Sequence, residues 1–168
     1  MASVLIGRAG LSVPAARAFV CPVDAALVAP LGDVECDRRI GDQVETHGGY
    51  FTDVHDEELY DLTVFKYGAS TRLTRGKICE VGAELRTRRK GRQGPIRYPF
   101  GYWVMSDEDG KHFALPGDSG SVVVAGDGRV VGMVVAMQDA PDDPSALAFV
   151  LPIRPILQAL EVVLIGPA

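Results

Sequence analysis

The stretch from Ser121 to Met137 places the strongest constraint on the fold. Ser121–Ala125 is a β-branched, apolar run, Gly126-Asp127-Gly128 is a tight-turn signal, and Arg129–Met137 is a second apolar run. Two such runs joined by a short turn that contains glycine predict a β-hairpin. The chain also contains 19 glycines and 11 prolines, which predict many further turns and favour an all-β fold.

Further strand-like segments and one helix-like segment flank this hairpin. Four segments have the composition of β-strands: Leu62–Tyr67, Lys77–Leu85, Gly101–Ser106 and Leu147–Leu151. Pro152 and Pro155 then suit the first turn of a helix. Apolar residues recur at helical spacing from Ile153 to Leu164, so the sequence predicts an amphipathic helix at the end of the chain. The 168 residues leave room for one compact domain, or for one domain and a remnant of another.

Composition excludes several classes of protein. No uninterrupted run of about 18 apolar residues occurs, so we expect no membrane-spanning helix and no membrane partner. Cys21, Cys36 and Cys79 are an odd number of cysteines without close pairing, which argues against a disulfide framework and against a metal site. This cysteine pattern, together with a sequence that lacks a clear secretory signal, favours an intracellular location.

Charge is unevenly distributed along the chain, whose formal net charge is −5. Residues 33–61 hold ten acidic residues and two arginines, whereas residues 72–97 hold nine basic residues and two glutamates. The basic stretch from Arg86 to Arg92 could attract nucleic acid or another polyanion. Glycine and proline interrupt it, however, and no aromatic residue interleaves it before Tyr98. We therefore predict a solvated hairpin loop there and no nucleic-acid partner.

The motif Gly117-Asp118-Ser119-Gly120-Ser121 is the strongest candidate for chemistry. Glycines on both sides of a serine allow a sharp backbone turn that presents the hydroxyl outward. The same turn can aim the amides of Gly117 and Ser119 at one point, which is what an oxyanion hole requires. A glycine-rich turn before a strand, with no chemical role, is the alternative, and the motif by itself leaves both open.

The order of residues tests two other classes of serine hydrolase. In an α/β-hydrolase the histidine follows the serine, but the last histidine of this chain is His112, which precedes Ser119. The subtilisin order of aspartate, histidine and serine is permitted by Asp24, His47 and Ser119. The predicted elements alternate strand with turn rather than strand with helix, which argues against the parallel sheet of that class.

Gly117–Ser121 and the hairpin that follows resemble the C-terminal barrel of trypsin-like serine peptidases, which have the chymotrypsin fold. Val64–Gly76 resembles the paired opening strands of that barrel in bacterial and fungal members, where a Thr-Gly-x-Thr-x-Gly pattern occurs. Thr71, Thr74 and Gly76 match this pattern, and Arg72 replaces its first glycine. Val23–Leu27 resembles the Asp-x-Ala-Leu signature around the aspartate of the family. The resemblance covers about residues 20–165.

The resemblance implies a fold and a division of the chain. The fold would be all-β, with a six-stranded antiparallel Greek-key barrel over about residues 60–152, a C-terminal helix and an incomplete first barrel. Residues 1–45 would be a remnant of the N-terminal barrel, with strands that lack partners. Residues 46–59 would form an acidic inter-barrel loop, and residues 60–168 the C-terminal barrel with its terminal helix.

The resemblance also implies catalytic roles in peptide-bond hydrolysis. Ser119 would be the nucleophile, the amides of Gly117 and Ser119 would form the oxyanion hole, and Asp24 would orient the catalytic imidazole. Asp118 would be a structural acid under the loop. The partner implied is a polypeptide substrate, with no metal and no organic cofactor.

A substrate-binding strand is implied by the same resemblance. Val135, Ala136 and Met137 would line the substrate strand and pocket. Met137 stands where many relatives have glycine, which implies a narrowed pocket. The resemblance implies nothing about the cleavage preference or the oligomeric state.

The catalytic histidine of the family is absent from its expected place. The family order of histidine, aspartate and serine requires a histidine upstream of Asp24, and the first 23 residues contain none. His47, His55 and His112 all follow Asp24, and we expect surface-loop positions for the first two. We therefore predict that this chain alone is inactive or very weak.

Three interpretations stay open at this point. The chain is a C-terminal portion of a longer peptidase, or a short protein that lost catalysis and acts as a binding or scaffold module, or an active peptidase with an unusual base.

Overall fold

The computed structural model describes residues 6–8, 25, 39–53, 55, 57–87, 96–138 and 142–164. The strands are β1 (Ile6–Arg8), β2 (Arg39–Ile40), β3 (Val44–Glu45), β4 (Thr63–Gly68), β5 (Arg72–Val81), β6 (Leu85–Thr87), β7 (Ile96–Tyr98), β8 (Tyr102–Ser106), β9 (Val122–Ala125), β10 (Val130–Met137), β11 (Ala148–Pro152) and β12 (Val162–Leu164). A short 3-10 helix spans Glu57–Leu59, and α1 spans Ile153–Leu160.

Six strands form a closed antiparallel barrel in the order β10-β11-β8-β5-β4-β9. The predicted hairpin is confirmed as β9 and β10, which pair from Val124 opposite Val130 to Val122 opposite Met133. The all-β class, the six strands and the C-terminal helix are confirmed as well. Every strand of the barrel therefore has two neighbouring strands, so no strand lies at the edge of the sheet over its whole length.

The core has an inner and an outer part because successive strand residues point to opposite faces. Side chains that fill the barrel include Val64, Ile78, Val104, Val123 and Val150, all without solvent exposure. The outer part lies between the barrel wall and α1, where Phe149 and Leu151 of β11 pack with Ile156 and Leu157. Strand β11 is thus buried on both faces, which explains its unbroken apolar sequence.

The end of the C-terminal helix differs from the sequence expectation. The apolar spacing predicts a helix as far as Leu164, but α1 ends at Leu160 and residues 162–164 form β12. Glu161 adopts the left-handed conformation (φ 53°), and its amide bonds the carbonyls of Gln158 and Leu157, which closes the helix. The valines that follow are β-branched and fit a strand better than a helix.

Two segments before residue 46 have strand partners, contrary to the expectation that this part would lack them. Strand β1 pairs with β12, with Ile6 opposite Leu164. Strands β2 and β3 form a small hairpin whose Ile40 and Val44 are buried in the outer core. The partner of β1 therefore comes from near the chain end, β2 and β3 pair with each other, and the outer core covers the apolar residues of β2 and β3. Of the Val23–Leu27 stretch, only Ala25 lies within the described residues, and it packs against this outer core.

The segment 46–53, predicted to be part of an acidic loop, is packed along the barrel. Tyr50 forms a parallel bridge with Val130 of β10. Phe51 is buried, and the guanidinium of Arg129 lies 3.9 Å from the centre of its ring. Arg154 of α1 donates a hydrogen bond to the Thr52 carbonyl at 2.6 Å. These contacts bind the segment to both β10 and α1.

The strands on either side of the basic stretch, β6 and β7, form an antiparallel pair with Leu85 opposite Tyr98. Residues 88–95, on which most of the predicted solvated loop falls, lie outside the described residues. Hydrogen bonds from Arg97 and Arg86 to the exposed Glu84 lower the pKa of that carboxyl to about 2. In the part of the chain that the structure describes, no helix is long and apolar enough to cross a membrane.

Candidate active site

Ser119 lies on the loop between β8 and β9, and backbone hydrogen bonds fix this loop against the barrel. The amide of Asp118 bonds the Leu115 carbonyl at 3.0 Å, and the amide of Gly120 bonds the Val134 carbonyl at 2.8 Å. Gly117 and Gly120 have φ values of +104° and +90°, in the region that favours glycine. The glycines of the motif therefore serve the sharp turn that the sequence predicts.

Asp118 is fully buried beneath this loop and accepts hydrogen bonds on both carboxylate oxygens. Its Oδ1 accepts from the amides of Ser70 (2.8 Å) and Thr71 (3.3 Å). Its Oδ2 accepts from the Thr71 hydroxyl (2.7 Å) and from the amide of Leu115 (3.0 Å). The carboxylate thereby ties the Ser119 loop to the turn between β4 and β5, which is the structural role that the resemblance implies for it.

Lys66 forms a buried ion pair with Asp118, which the sequence analysis did not identify. Its Nζ lies 3.3 Å from Asp118 Oδ2, both side chains are completely inaccessible to solvent, and Nζ also donates to the Thr71 hydroxyl. A signal for it is present in the sequence. Lys66 alternates with Val64 and Gly68 on the face of β4 that points into the barrel, and a lysine at such a position requires a buried anion.

The ionisation of this pair follows from its surroundings. Burial lowers the pKa of Lys66, and the Asp118 carboxylate opposes that effect without cancelling it. Burial raises the pKa of Asp118, but the hydrogen bonds from Leu115, Thr71 and Ser70 outweigh this effect, so its pKa lies below the usual value. Asp118 is therefore a carboxylate, not a carboxylic acid, at neutral pH.

The Thr-Gly pattern quoted from the sequence has a physical explanation in the same place. Thr71 donates to Asp118, as described above, and the Thr74 hydroxyl donates to the Phe113 carbonyl at 2.8 Å. Gly76 leaves room for the Phe113 ring, which a β-carbon would overlap. All three matched residues thus support the loop that carries Ser119. Arg72, which replaces a glycine of the pattern, has the left-handed φ of 61°.

The Ser119 side chain is exposed, and its Oγ lies 3.4 Å from the Val135 carbonyl. The amides of Gly117 and Ser119 donate to no acceptor among the described residues. Two amides left without a partner beside an exposed hydroxyl are chemically suited to hold a negative oxygen. The sequence-based prediction places the nucleophile and the oxyanion hole at these groups.

Val135, Ala136 and Met137 lie at the end of β10 beside Ser119. The pairing of β10 with β11 skips Val135, because Val134 lies opposite Val150 and Ala136 opposite Phe149. Ala136 and Met137 are half-buried, and on the side away from β11 no strand of the described chain pairs with residues 135–137. Among the described residues, this short edge of β10 has no strand partner, and strand addition to such an edge is a known mode of peptide recognition.

The three histidines make contacts elsewhere. His47 Nδ1 accepts a hydrogen bond from the amide of Gly49 at 3.2 Å. His55 packs edge-on against Phe100, with the ring centres 4.6 Å apart. His112 has a buried Nδ1 without a hydrogen-bond partner. Among the contacts of the described residues, none joins a histidine to Ser119. Asp24, the predicted orienting acid, lies outside the described residues.

Within the described residues, no group of three or more histidine, cysteine, aspartate or glutamate side chains is placed to hold a metal ion. Cys79 is a free, half-buried thiol whose sulfur bonds the Trp103 carbonyl at 3.3 Å, and burial raises its pKa.

A barrel of this kind occurs in solved structures of bacterial chymotrypsin-like serine proteases. The chain resembles the chymotrypsin of Cellulomonas bogoriensis with a TM-score of 0.56, at 22% identity over 79% of this chain. It resembles protease A of Thermobifida fusca with a TM-score of 0.56, at 19% identity over 79% of this chain. It resembles the Nocardiopsis protease with a TM-score of 0.54, at 17% identity over 78% of this chain. The protein therefore has the chymotrypsin fold.

The chain covers only about three fifths of each of those proteases: 61%, 60% and 60% of their lengths, in the same order. No protein-family model matches the chain, and no curated protein sequence does.

Proposed function

We propose that this chain carries the nucleophile half of a serine endopeptidase. In this proposal Ser119 Oγ attacks the carbonyl carbon of a peptide bond, and the amides of Gly117 and Ser119 stabilise the negative oxygen that results. The carbon–nitrogen bond then breaks as the leaving amine takes up the proton lost from Ser119, and water hydrolyses the ester to release the acid and restore the Ser119 hydroxyl. The observation that carries the proposal is an exposed serine on a loop fixed by a buried carboxylate, beside two amides that have no acceptor among the described residues.

A general base is needed to take the proton from the Ser119 hydroxyl, and we propose that this chain alone reacts slowly for want of one. The support is that no histidine precedes Asp24 and that no histidine contact of the described chain involves Ser119. Loss of the base from a triad leaves residual catalysis by the oxyanion hole and binding, and reduces the rate by several orders of magnitude. The polypeptide substrate would lie along Val135, Ala136 and Met137.

Labelling with a fluorophosphonate probe tests the proposal, because such probes form a covalent bond with an activated serine. We expect slow labelling of the purified chain, located at Ser119 by peptide mass mapping, and faster labelling when imidazole is added as a soluble base. Ser119→Ala should remove the labelling. Ser121→Ala, which changes another serine of the same motif, should leave it unchanged.

The outcomes separate the interpretations. Rapid labelling of Ser119 without imidazole would contradict the missing base and indicate a base within the chain. If neither condition labels Ser119 above the background of Ser119→Ala, Ser119 is not a nucleophile and the endopeptidase proposal fails.

A peptide-binding or scaffold module is the second candidate. It is favoured by two observations on the described residues: the strand edge at residues 135–137 has no partner, and no contact joins a histidine to Ser119. A module of this kind should bind extended peptides without cleaving them, and Ser119→Ala should bind as tightly as the wild type. Isothermal titration with peptides, followed by mass analysis of the same samples, distinguishes it from a slow enzyme.

A further inference from the structure

Ser70 is a polar residue near the candidate site that the proposed function does not use. It lies in the turn between β4 and β5, and its amide donates to Asp118 Oδ1 at 2.8 Å. Its hydroxyl donates to the Pro116 carbonyl at 2.7 Å. The two bonds reach the Ser119 loop on either side of Gly117.

The hydrogen bond from the Ser70 hydroxyl to the Pro116 carbonyl also determines the direction of the Gly117 N–H. The Pro116 carbonyl and the Gly117 N–H belong to one planar peptide group, and no described peptide bond is cis. In a trans peptide these two groups point in opposite directions. A donor that holds the carbonyl on one side therefore directs the Gly117 N–H to the other side, away from Ser70.

A close contact between the Ser70 hydroxyl and Gly117 supports this orientation of the peptide group. A β-carbon built on Gly117 would overlap the Ser70 hydroxyl oxygen, so that the hydroxyl lies directly against the Gly117 backbone. If the Pro116–Gly117 peptide turned over, the carbonyl would point into the candidate oxyanion hole and the Gly117 N–H would point away from it. The Ser70 hydroxyl would then lose its acceptor.

We infer that Ser70 is a positioning residue that holds the Pro116–Gly117 peptide with the Gly117 amide directed to an oxyanion beside Ser119. This inference rests on the proposed function, because the orientation matters for chemistry only if Ser119 reacts. Ser70 does not itself touch the reacting atoms. Ser70 acts on the oxyanion only through the orientation of the Pro116–Gly117 peptide group.

The first test measures the peptide group directly, by NMR of the full chain. Ser70→Ala should shift the Pro116 carbonyl carbon and the Gly117 amide nitrogen, because the hydroxyl donor is lost. Ser70→Thr keeps a hydroxyl and should return both signals towards their wild-type positions. Ser145→Ala, which removes an exposed hydroxyl that bonds only its neighbour Asp143, serves as the control. Unchanged Pro116 and Gly117 signals in Ser70→Ala would overturn the inference.

The second test measures reactivity, with the binding constant and the maximal labelling rate of the fluorophosphonate determined separately. Removing one oxyanion donor outright costs about a hundredfold or more in rate, so a misdirected donor should cost about tenfold. We expect that loss in the maximal rate of Ser70→Ala, an unchanged binding constant, and recovery in Ser70→Thr. If Ser70→Ala instead disrupted the fold as a whole, its melting temperature would fall. The binding constant would then change together with the maximal rate.

The two tests fail separately. If the NMR signals move but the maximal rate of a reactive Ser119 does not, the link between Ser70 and the oxyanion is overturned. If the wild-type Ser119 never reacts, the proposed function fails and the catalytic meaning of Ser70 fails with it. The Pro116 and Gly117 signals still decide whether Ser70 holds the peptide.

Discussion

At the scale of single residues, an arginine occupies a backbone conformation that suits glycine. Arg72 is exposed and has a φ of 61°, at the position where the Thr-Gly pattern has its first glycine. Left-handed φ values cost about 1–2 kcal/mol for a residue with a β-carbon. The sequence shows that Arg72 replaces a glycine of the pattern. It does not show that the backbone of Arg72 is strained, because that depends on the geometry of the turn.

Arg72→Gly should therefore stabilise the protein. We expect the free energy of unfolding to rise by about 0.5–1 kcal/mol, because relief of the strained φ exceeds the extra freedom that glycine gives the unfolded chain. Urea denaturation measures the change. Arg72→Ala removes the same charge and keeps a β-carbon, so it should bring no gain. An equal gain in both variants would assign the effect to the side chain and contradict the strain.

The buried pair of Lys66 and Asp118 shows the limit of sequence reasoning at this scale. A motif match indicated that Asp118 supports the loop, since it lies between the glycine and the serine. Its cation was not identified, because the two residues are 52 positions apart and only the closure of the barrel brings β4 beneath the loop. An inward-facing lysine in an alternating strand was the available signal.

At the scale of elements, the local patterns predicted strands well and predicted their ends and partners poorly. The β9–β10 hairpin is a short-range feature, and its turn residues were sufficient to predict it. The helix was predicted four residues too long, because hydrophobic spacing does not register the left-handed Glu161 that ends it. The pairing of β1 with β12 joins residues more than 150 positions apart, and no local pattern indicates such a pair.

The packing of segment 46–53 on the barrel provides a prediction at this scale. Phe51 is 4% exposed under Arg129, so Phe51→Ala should lower the free energy of unfolding by about 3–5 kcal/mol. Tyr60→Ala is the matched control, since Tyr60 is an aromatic residue near the same segment with 67% of its surface exposed. Its loss should stay within about 0.5 kcal/mol. Urea denaturation of both variants decides. A loss at Phe51 as small as that at Tyr60 would mean that the segment is not part of the folded unit.

At the scale of the whole molecule, stability should fall in acid. The pKa of Asp118 is below its usual value in the folded chain, so between that pKa and the unfolded value of about 3.9 the unfolded chain binds more protons. The free energy of unfolding therefore decreases as the pH falls from about 5 through the folded pKa. Glu84, with a pKa of about 2, acts in the same direction from an exposed position.

Urea unfolding over this acid range, compared among variants, separates the two carboxyls. Glu84→Gln should keep most of the acid loss, whereas Asp118→Asn should show a flatter dependence on pH. If Asp118→Asn does not fold, Thr71→Val removes one donor to Asp118, raises its pKa and should move the loss to higher pH. An acid loss in Asp118→Asn as steep as in the wild type would contradict the assignment.

The overall architecture was predictable because its evidence is concentrated in one continuous region of the chain. The serine motif, the hairpin and the Thr-Gly pattern all lie between residues 64 and 137, and all three belong to the barrel. The residues before β4 offer fewer such signals. Their described strands are two or three residues long: β1 pairs with β12 near the chain end, and β2 pairs with β3.

The pairing beneath the Ser119 loop also bears on how such a protein could be assembled. The cation, the hydroxyl and the amides that bind Asp118 all come from residues 66–115, within or beside the barrel. The contacts that hold the loop therefore form within the barrel itself. If Ser119 is the nucleophile, as proposed above, a histidine supplied in trans would meet a loop that these contacts already hold.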